Sequence, residues 1–371
     1  MADEREDRLE QLLGYLEMDP DNPMLLADAS RAALDAGMAD KAEEFLSRLQ
    51  SVTPGAIESD YLSGLLMMHR GDFADAAARF ESVLARSEDP ATRFNLAWSR
   101  AMIGEKIAAL ALLEGHCLEA ISSAAMLRVQ LLHEGGQFDL AFEDGKAALE
   151  RFPDDCGLLG AMATLALDVE EIELARYCAY RAGSHPEGLA AVGVLELRSG
   201  DVEAARKAFD RAIALREHNP RAWLGRGLAS LLERDTQSAA SDLDRGAQQF
   251  GDHIGSWIAA GWARYLSGDI DGSALRFERA LAIDPAFAET HGSLAVIDVA
   301  RGDPASARRR TATALRLDKE SFSAALAQSL LSSDDPARAS EIIEHAMSTP
   351  IDGATMTLAG YLSGLSRPTL H

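Results

Sequence analysis

The chain has 371 residues, with 59 acidic against 36 basic side chains and a formal net charge of −23. A surface this acidic repels polyanions and argues against nucleic acid as a partner. The longest uncharged stretch, 353–366, has 14 residues, short of the roughly 20 a membrane span needs, and three widely spaced cysteines (Cys117, Cys156, Cys178) argue against a disulfide framework or a zinc site.

One pattern organises the whole chain. Ala42, Ala76, Ala109, Ala141, Ala175, Ala205, Ala239, Ala307 and Ala339, with Ser273 in the one gap, recur every 30 to 34 residues. A period in this range marks stacked units that bury their apolar faces on one another.

In chain order, the first element is a helix whose stripe of Leu9, Leu12, Leu13 and Leu16 would lie on the first full unit, so residues 1–22 read as a half repeat. About ten full units follow over 23–350. Five residues before the ladder position stand Gly37, Gly71, Gly104, Gly136, Gly200, Gly268 and Gly302, several followed by an acid: Asp72, Glu105, Asp201, Asp269 and Asp303. Glycine ends one helix in a left-handed cap, and the acid starts the next by accepting orphan N–H groups. Each unit is therefore a helix, a tight turn and a second helix. Phe80, Phe209 and Phe277 sit four residues after the ladder position. Pro54, Pro153 and Pro285, with Pro90, Pro186, Pro220 and Pro350 slightly displaced, are expected to stop the second helices. Spacing is least regular over 91–186, where Gly145 and His116 replace packing residues. Residues 351–371 read as a terminal half repeat, a first helix built on Met356, Leu358, Tyr361, Leu362 and Leu365.

On these residues the chain resembles the tetratricopeptide-repeat family, most clearly from Trp257 through Gly261, Gly268, Asp269, Phe277 and Ala280 to Pro285, and again over 187–217. The resemblance implies an all-α, right-handed superhelical solenoid of helix-turn-helix repeats, one domain over 1–371. It also implies a concave surface lined by first helices. The side chains there include Tyr61, Leu65, Met68, Phe94, Trp98 and Met102 in one cluster and Ile258, Trp262 and Tyr265 in another. Aromatic and Met anchors in a groove suit a helix or an extended segment of another protein, apolar or basic. Met356, Tyr361 and Leu362 are a possible second contact, for a homo-oligomer or a partner helix. The clamp that some relatives use for acidic carboxyl-terminal tails is incomplete: Asn95 matches, but Tyr61, Leu65, Ser123 and Leu127 stand where other donors belong.

No nucleophile and base, carboxylate pair or metal cluster rises above the repeat pattern, so no enzyme and no cofactor is expected. The Arg-Gly-Asp tripeptides at 70–72 and 301–303 fall on helix turns that require Gly and Asp anyway. The partial calcium-loop spacing over 267–278 begins with Ser267 and reuses repeat residues. Met1 to Arg8 is acidic with no apolar run behind it, and the expected compartment is the cytoplasm. Thirty-one of the 36 basic residues are Arg, a bias that fits a GC-rich bacterial genome. The expected function is a non-enzymatic scaffold or adaptor, in an assembly or chaperone role of a bacterial secretion, envelope or maturation system. The alternative is a regulatory or substrate-recruiting subunit of a separately encoded modifying enzyme.

Overall fold

The computed structural model describes residues 2–331, with side chains from Asp7 onward, and every regular element among them is an α-helix. The chain divides into two compact units, one ending at Leu158 and the other beginning at Leu159. The first holds α1 (Ala2–Met18), the pairs α2 (Pro23–Asp35) with α3 (Ala39–Val52) and α4 (Ile57–Arg70) with α5 (Phe73–Leu84), then α6 (Pro90–Met102) with α7 (Lys106–Leu112) and α8 (His116–Ala120), and α9 (Ser122–Glu134) with α10 (Phe138–Arg151). The boundary falls inside α11 (Cys156–Asp168). The second unit continues through α12 (Ile172–Arg181), α13 (Pro186–Ser199), α14 (Val202–Leu215), α15 (Pro220–Leu232), α16 (Thr236–Phe250), α17 (Ile254–Leu266), α18 (Ile270–Ile283), α19 (Ala288–Ala300), α20 (Pro304–Leu317) and α21 (Phe322–Leu331).

The alanine ladder is the seam of each pair. Every described member is buried on its second helix, where a larger side chain would push the partner helix away. Ser273 keeps the same role because its hydroxyl donates across the pair to the Gly261 carbonyl at 2.7 Å. One turn further along the same face, the phenyl rings of Phe80, Phe209 and Phe277 are fully buried. They press on glycines of the first helices: a β-carbon on Gly64, Gly193 or Gly261 would come within 2.6, 2.4 or 2.3 Å of the ring.

All seven turn glycines adopt positive φ, between 71° and 86°. At the two described units that lack one, Glu170 and Arg234 take the same left-handed conformation, with φ of 62° and 63°. Asp201, Asp269 and Asp303 cap the following helix through their carboxylates, as does Asp235; Asp72 and Glu105 stand at the cap without a side-chain hydrogen bond.

The proline expectation needs correcting in part. Pro54, Pro153 and Pro285 lie in turns after second helices, but Pro90, Pro186 and Pro220 are the first residues of α6, α13 and α15. Their missing N–H costs nothing at a helix start and their fixed φ suits it, so they open first helices rather than close second ones. Pro350 lies outside the described residues.

The irregular stretch has two local causes. The second helix of the third pair breaks after Leu112, and the chain turns at Gly115, with φ of 53°, before α8. Further on, α12 has only 10 residues where α14 has 14. At the amino-terminal end, Leu9 and Leu16 of α1 are buried against α2, and Leu12 and Leu13 pack beside them.

Candidate functional site

In the first unit, the expected contact residues lie on α4 and α6 and are neither lost in the core nor fully in water. Tyr61, Leu65 and Met68 pack against the buried cluster of Ala76, Ala77, Phe80 and Leu96. Phe94 and Trp98 pack against the next cluster, around Ala97, Ala109 and Leu127. Their rings are 6.1 Å apart and tilted. Asn95 ties the two helices by donating to the Tyr61 hydroxyl oxygen at 3.2 Å. Burial pushes the Tyr61 phenol above its ordinary pKa, so it stays a neutral side chain with an apolar face. Met102, at the end of α6, is 53% exposed. At the opposite edge, Arg31 of α2 donates to Glu58 of α4 at 2.5 Å. The result is a half-buried row of aromatic, Leu and Met side chains with a charged rim.

The second unit differs. Ile258 is 0% and Trp262 3% exposed; Trp262 packs edge-on against Phe277 and Tyr265, at 5.4 and 5.7 Å. Both belong to a core cluster that runs through Leu294, Val296 and Ile297 to Leu326 and Leu330. Neighbouring first helices here pack on each other through these side chains, which leaves them no free face. Tyr265 stays half-buried, its phenol also raised by desolvation. Met356, Tyr361 and Leu362 lie outside the described residues.

The polar framework of this unit was not visible in the spacing. Trp223 donates its indole N–H to the Glu217 carbonyl at 2.8 Å, and its ring is held between the guanidinium groups of Arg226 and Arg245, at 4.5 and 4.6 Å. Trp257, one period later, repeats the indole bond to the Gly251 carbonyl at 2.6 Å. Arg226 in turn grips buried Asp242 through two bonds of 2.7 and 2.8 Å and reaches Asp210 at 2.9 Å. These contacts raise its pKa further above an already high value, with the Asp242 bond the largest cause. Asp168 and Arg221 form a two-bond pair at 3.1 and 2.9 Å. Beside them His253 stacks on Phe250 at 4.8 Å and accepts the Ser256 N–H at 3.0 Å through Nδ1. Burial chiefly, with Arg221 adding to it, lowers the His253 pKa to about 4.

Among the described residues no group of three or more His, Cys, Asp or Glu side chains could hold a metal ion, and no helix is long and apolar enough to cross a membrane. Asp269 and Asp271, the acids of the partial calcium loop, are engaged elsewhere: Asp269 caps α18, and Asp271 accepts from Arg301 at 2.5 Å.

A family model described as a tetratricopeptide repeat matches residues 193–253, from within α13 to just beyond α16. Over those residues the chain matches the tetratricopeptide repeat, and the helix pairs on either side share its fold. Solved structures of this type share the fold at low identity. The human IFIT1 dimer with m7Gppp-AAAA superposes with a TM-score of 0.54 at 12% identity, over 88% of this chain and 84% of that one. A monomeric IFIT1 mutant with Gppp-AAAA gives 0.55 at 12% identity, over 98% and 91%. PilW, a type IV pilus biogenesis factor, gives 0.47 at 16% identity, over 57% and 99%. No curated protein matches this repeat chain by sequence. In the repeat frame, Gly64, Gly193 and Gly261 share the first-helix position that receives the ring of their own second helix, Gly227 at that position meets Leu243, and Gly225 meets Phe209 of the preceding pair. Trp223 and Trp257 are the early first-helix aromatics, each tied to the preceding loop. Of the two first-helix clusters, Tyr61, Leu65, Met68, Phe94 and Trp98 on α4 and α6 stay half-buried, whereas Ile258 and Trp262 are enclosed.

Proposed function

We propose that this protein is a non-enzymatic scaffold that holds a helix or extended segment of a partner protein against α4 and α6. The observation that carries the reading is the half-buried state of Tyr61, Leu65, Met68, Phe94 and Trp98, with Met102 at the open end. Side chains in that state are ordered by the core behind them yet keep apolar area to bury, and association at such anchors loses little conformational entropy. The partner is apolar on its docking face. The acidic balance of the chain favours basic flanks on that partner, and its role is assembly or maturation of the complex to which it belongs.

A photo-crosslinking side chain at Met68 or Met102 in the full-length chain should trap one partner in the native lysate, while the same group at exposed Lys207 on α14 should not. Trp98→Ala, with its helical signal intact, should weaken binding of that partner about 30-fold, the ~2 kcal/mol typical of a buried aromatic anchor. Unchanged affinity in both Trp98→Ala and Met102→Glu would sink the proposal.

A further inference from the structure

A second site lies in the other unit, independent of the α4–α6 row. Between α16 and α18 there is a cleft of about 630 Å³ lined by His218, Ser241, Asp244, Arg245, Gln248, Gln249, Arg264 and Arg276. At its base Asp244 is 7% exposed and holds two guanidinium groups at once. Arg276 donates to it from Nε and Nη2 at 2.9 and 2.8 Å, and Arg264 from Nε at 2.9 Å and also from Nη2. Each guanidinium carries five N–H donors. Arg264 directs one more to Asp269 at 3.3 Å and Arg276 one to the Gly272 carbonyl at 3.4 Å, which leaves donors on both. Arg245 lies over the Trp223 ring, 4.6 Å from its centroid, and bonds Glu217 through one nitrogen, which leaves most of its N–H donors unspent at the cleft it lines.

Three arginines therefore line the cleft against one carboxylate, and the outlying Glu217 and Asp269 bring the neighbourhood to neutrality, in a chain whose formal charge is −23. Unspent donors on immobilised, planar forks match a carboxylate, because the forks are already oriented. Repulsion from acidic groups beyond about 8 Å is largely screened at physiological ionic strength. One further observation narrows the ligand. Gln249 donates its amide to the Glu217 carbonyl at 3.1 Å, which fixes its orientation, and leaves Oε1 buried with no donor. A buried acceptor without a partner is costly and calls for an N–H. We propose that this cleft binds an acidic side chain of a peptide segment, the carboxylate on Arg245, Arg264 and Arg276 and a peptide N–H on Gln249.

The test titrates full-length protein with a capped Ala-Glu-Glu-Ala peptide, its Ala-Gln-Gln-Ala counterpart and inorganic phosphate, with binding read from tryptophan fluorescence. The acidic peptide should saturate, the amide peptide should bind at least tenfold more weakly, and phosphate should displace the acidic peptide only at far higher concentration. Arg245→Gln and Gln249→Met, which leave the Asp244 triad in place, should each weaken the acidic peptide at least threefold, whereas Arg308→Gln should not. Equal binding of the two peptides, displacement by equimolar phosphate, wild-type affinity in both cleft variants, or absence of saturable binding would each overturn the assignment.

Discussion

The ring of Phe209 occupies the place where a β-carbon on Gly225 would stand: the two would be 2.2 Å apart, and Gly193 meets the same ring from its own repeat at 2.4 Å. One side chain thus locks its own pair and the first helix of the next. Gly225→Ala should lower the unfolding free energy by about 1–3 kcal/mol, the usual effect of overpacking a filled core. Denaturant melts of the full chain measure it, and an unchanged midpoint would mean the ring moves aside freely.

The turn positions allow a stabilising change. Glu170 is exposed and held at a φ of 62° where seven other repeats use glycine. A β-carbon in that region costs about 1–2 kcal/mol, part of which is offset by the greater freedom glycine has in the unfolded chain. Glu170→Gly should stabilise by roughly 0.5–1 kcal/mol, and Gly200→Ala, at an equivalent position with φ of 86°, should destabilise by about 1 kcal/mol. Thermal melts that show the two shifts with the same sign would contradict the strain argument.

Acid should loosen the second unit before its carboxylates titrate. His253 has an ordinary pKa of 6.5 when unfolded and about 4 when folded. The unfolded chain takes up this proton first as pH falls. The contribution of neutral His253 is whole above 6.5 and declines between 6.5 and 4 by at most ~1.4 kcal/mol per pH unit. Protonation also removes the Nδ1 acceptor that caps α17. His253→Asn keeps a capping oxygen and does not titrate, so the midpoint difference between pH 7 and pH 5 should shrink in this variant.

Buried and exposed ion pairs should separate by size. Removing Asp242 leaves Arg226, whose side chain is 23% exposed, with only its single bond to the more exposed Asp210, and Asp242→Ala should cost about 3 kcal/mol. Lys106 and Glu134 are 50% and 56% exposed at 2.8 Å, and Lys106→Ala should change stability by no more than ~1 kcal/mol. Comparable losses in the two variants would refute this ranking.

What could be read from the sequence is what the period repeats. The alanine seam runs through almost every unit, the turn glycine returns in seven and the buried phenylalanine in three, and each is a strictly local demand of helix pairing. Pro90, Pro186 and Pro220 were legible as punctuation but not as openings, because a proline between two helices suits the end of one and the start of the next equally. Trp98 and Trp262 look alike in register. Only the packing of α17 on its neighbours shows that the second is enclosed. The Arg264–Asp244–Arg276 triad joins residues 20 and 32 apart on three helices, and no one-dimensional motif announces it.

The short α12 carries a rule for lengthening or trimming this scaffold. Ala175 and Ala205 are 30 residues apart where 34 is usual, a difference of four, and four residues turn a helix by about 400°, close to one full revolution. The following helices therefore meet their neighbours with the same faces as before. Between Ala109 and Ala141 the difference is two, about 200°, which would present the wrong side of the helix, and it is there that the helix is interrupted at Gly115 so the chain can reset its direction. Insertions and deletions in the second helices should be tolerated in whole turns, and any other number should require a break of this kind or an adjustment in the following loop, as between Ala76 and Ala109, which are 33 apart with α5 unbroken.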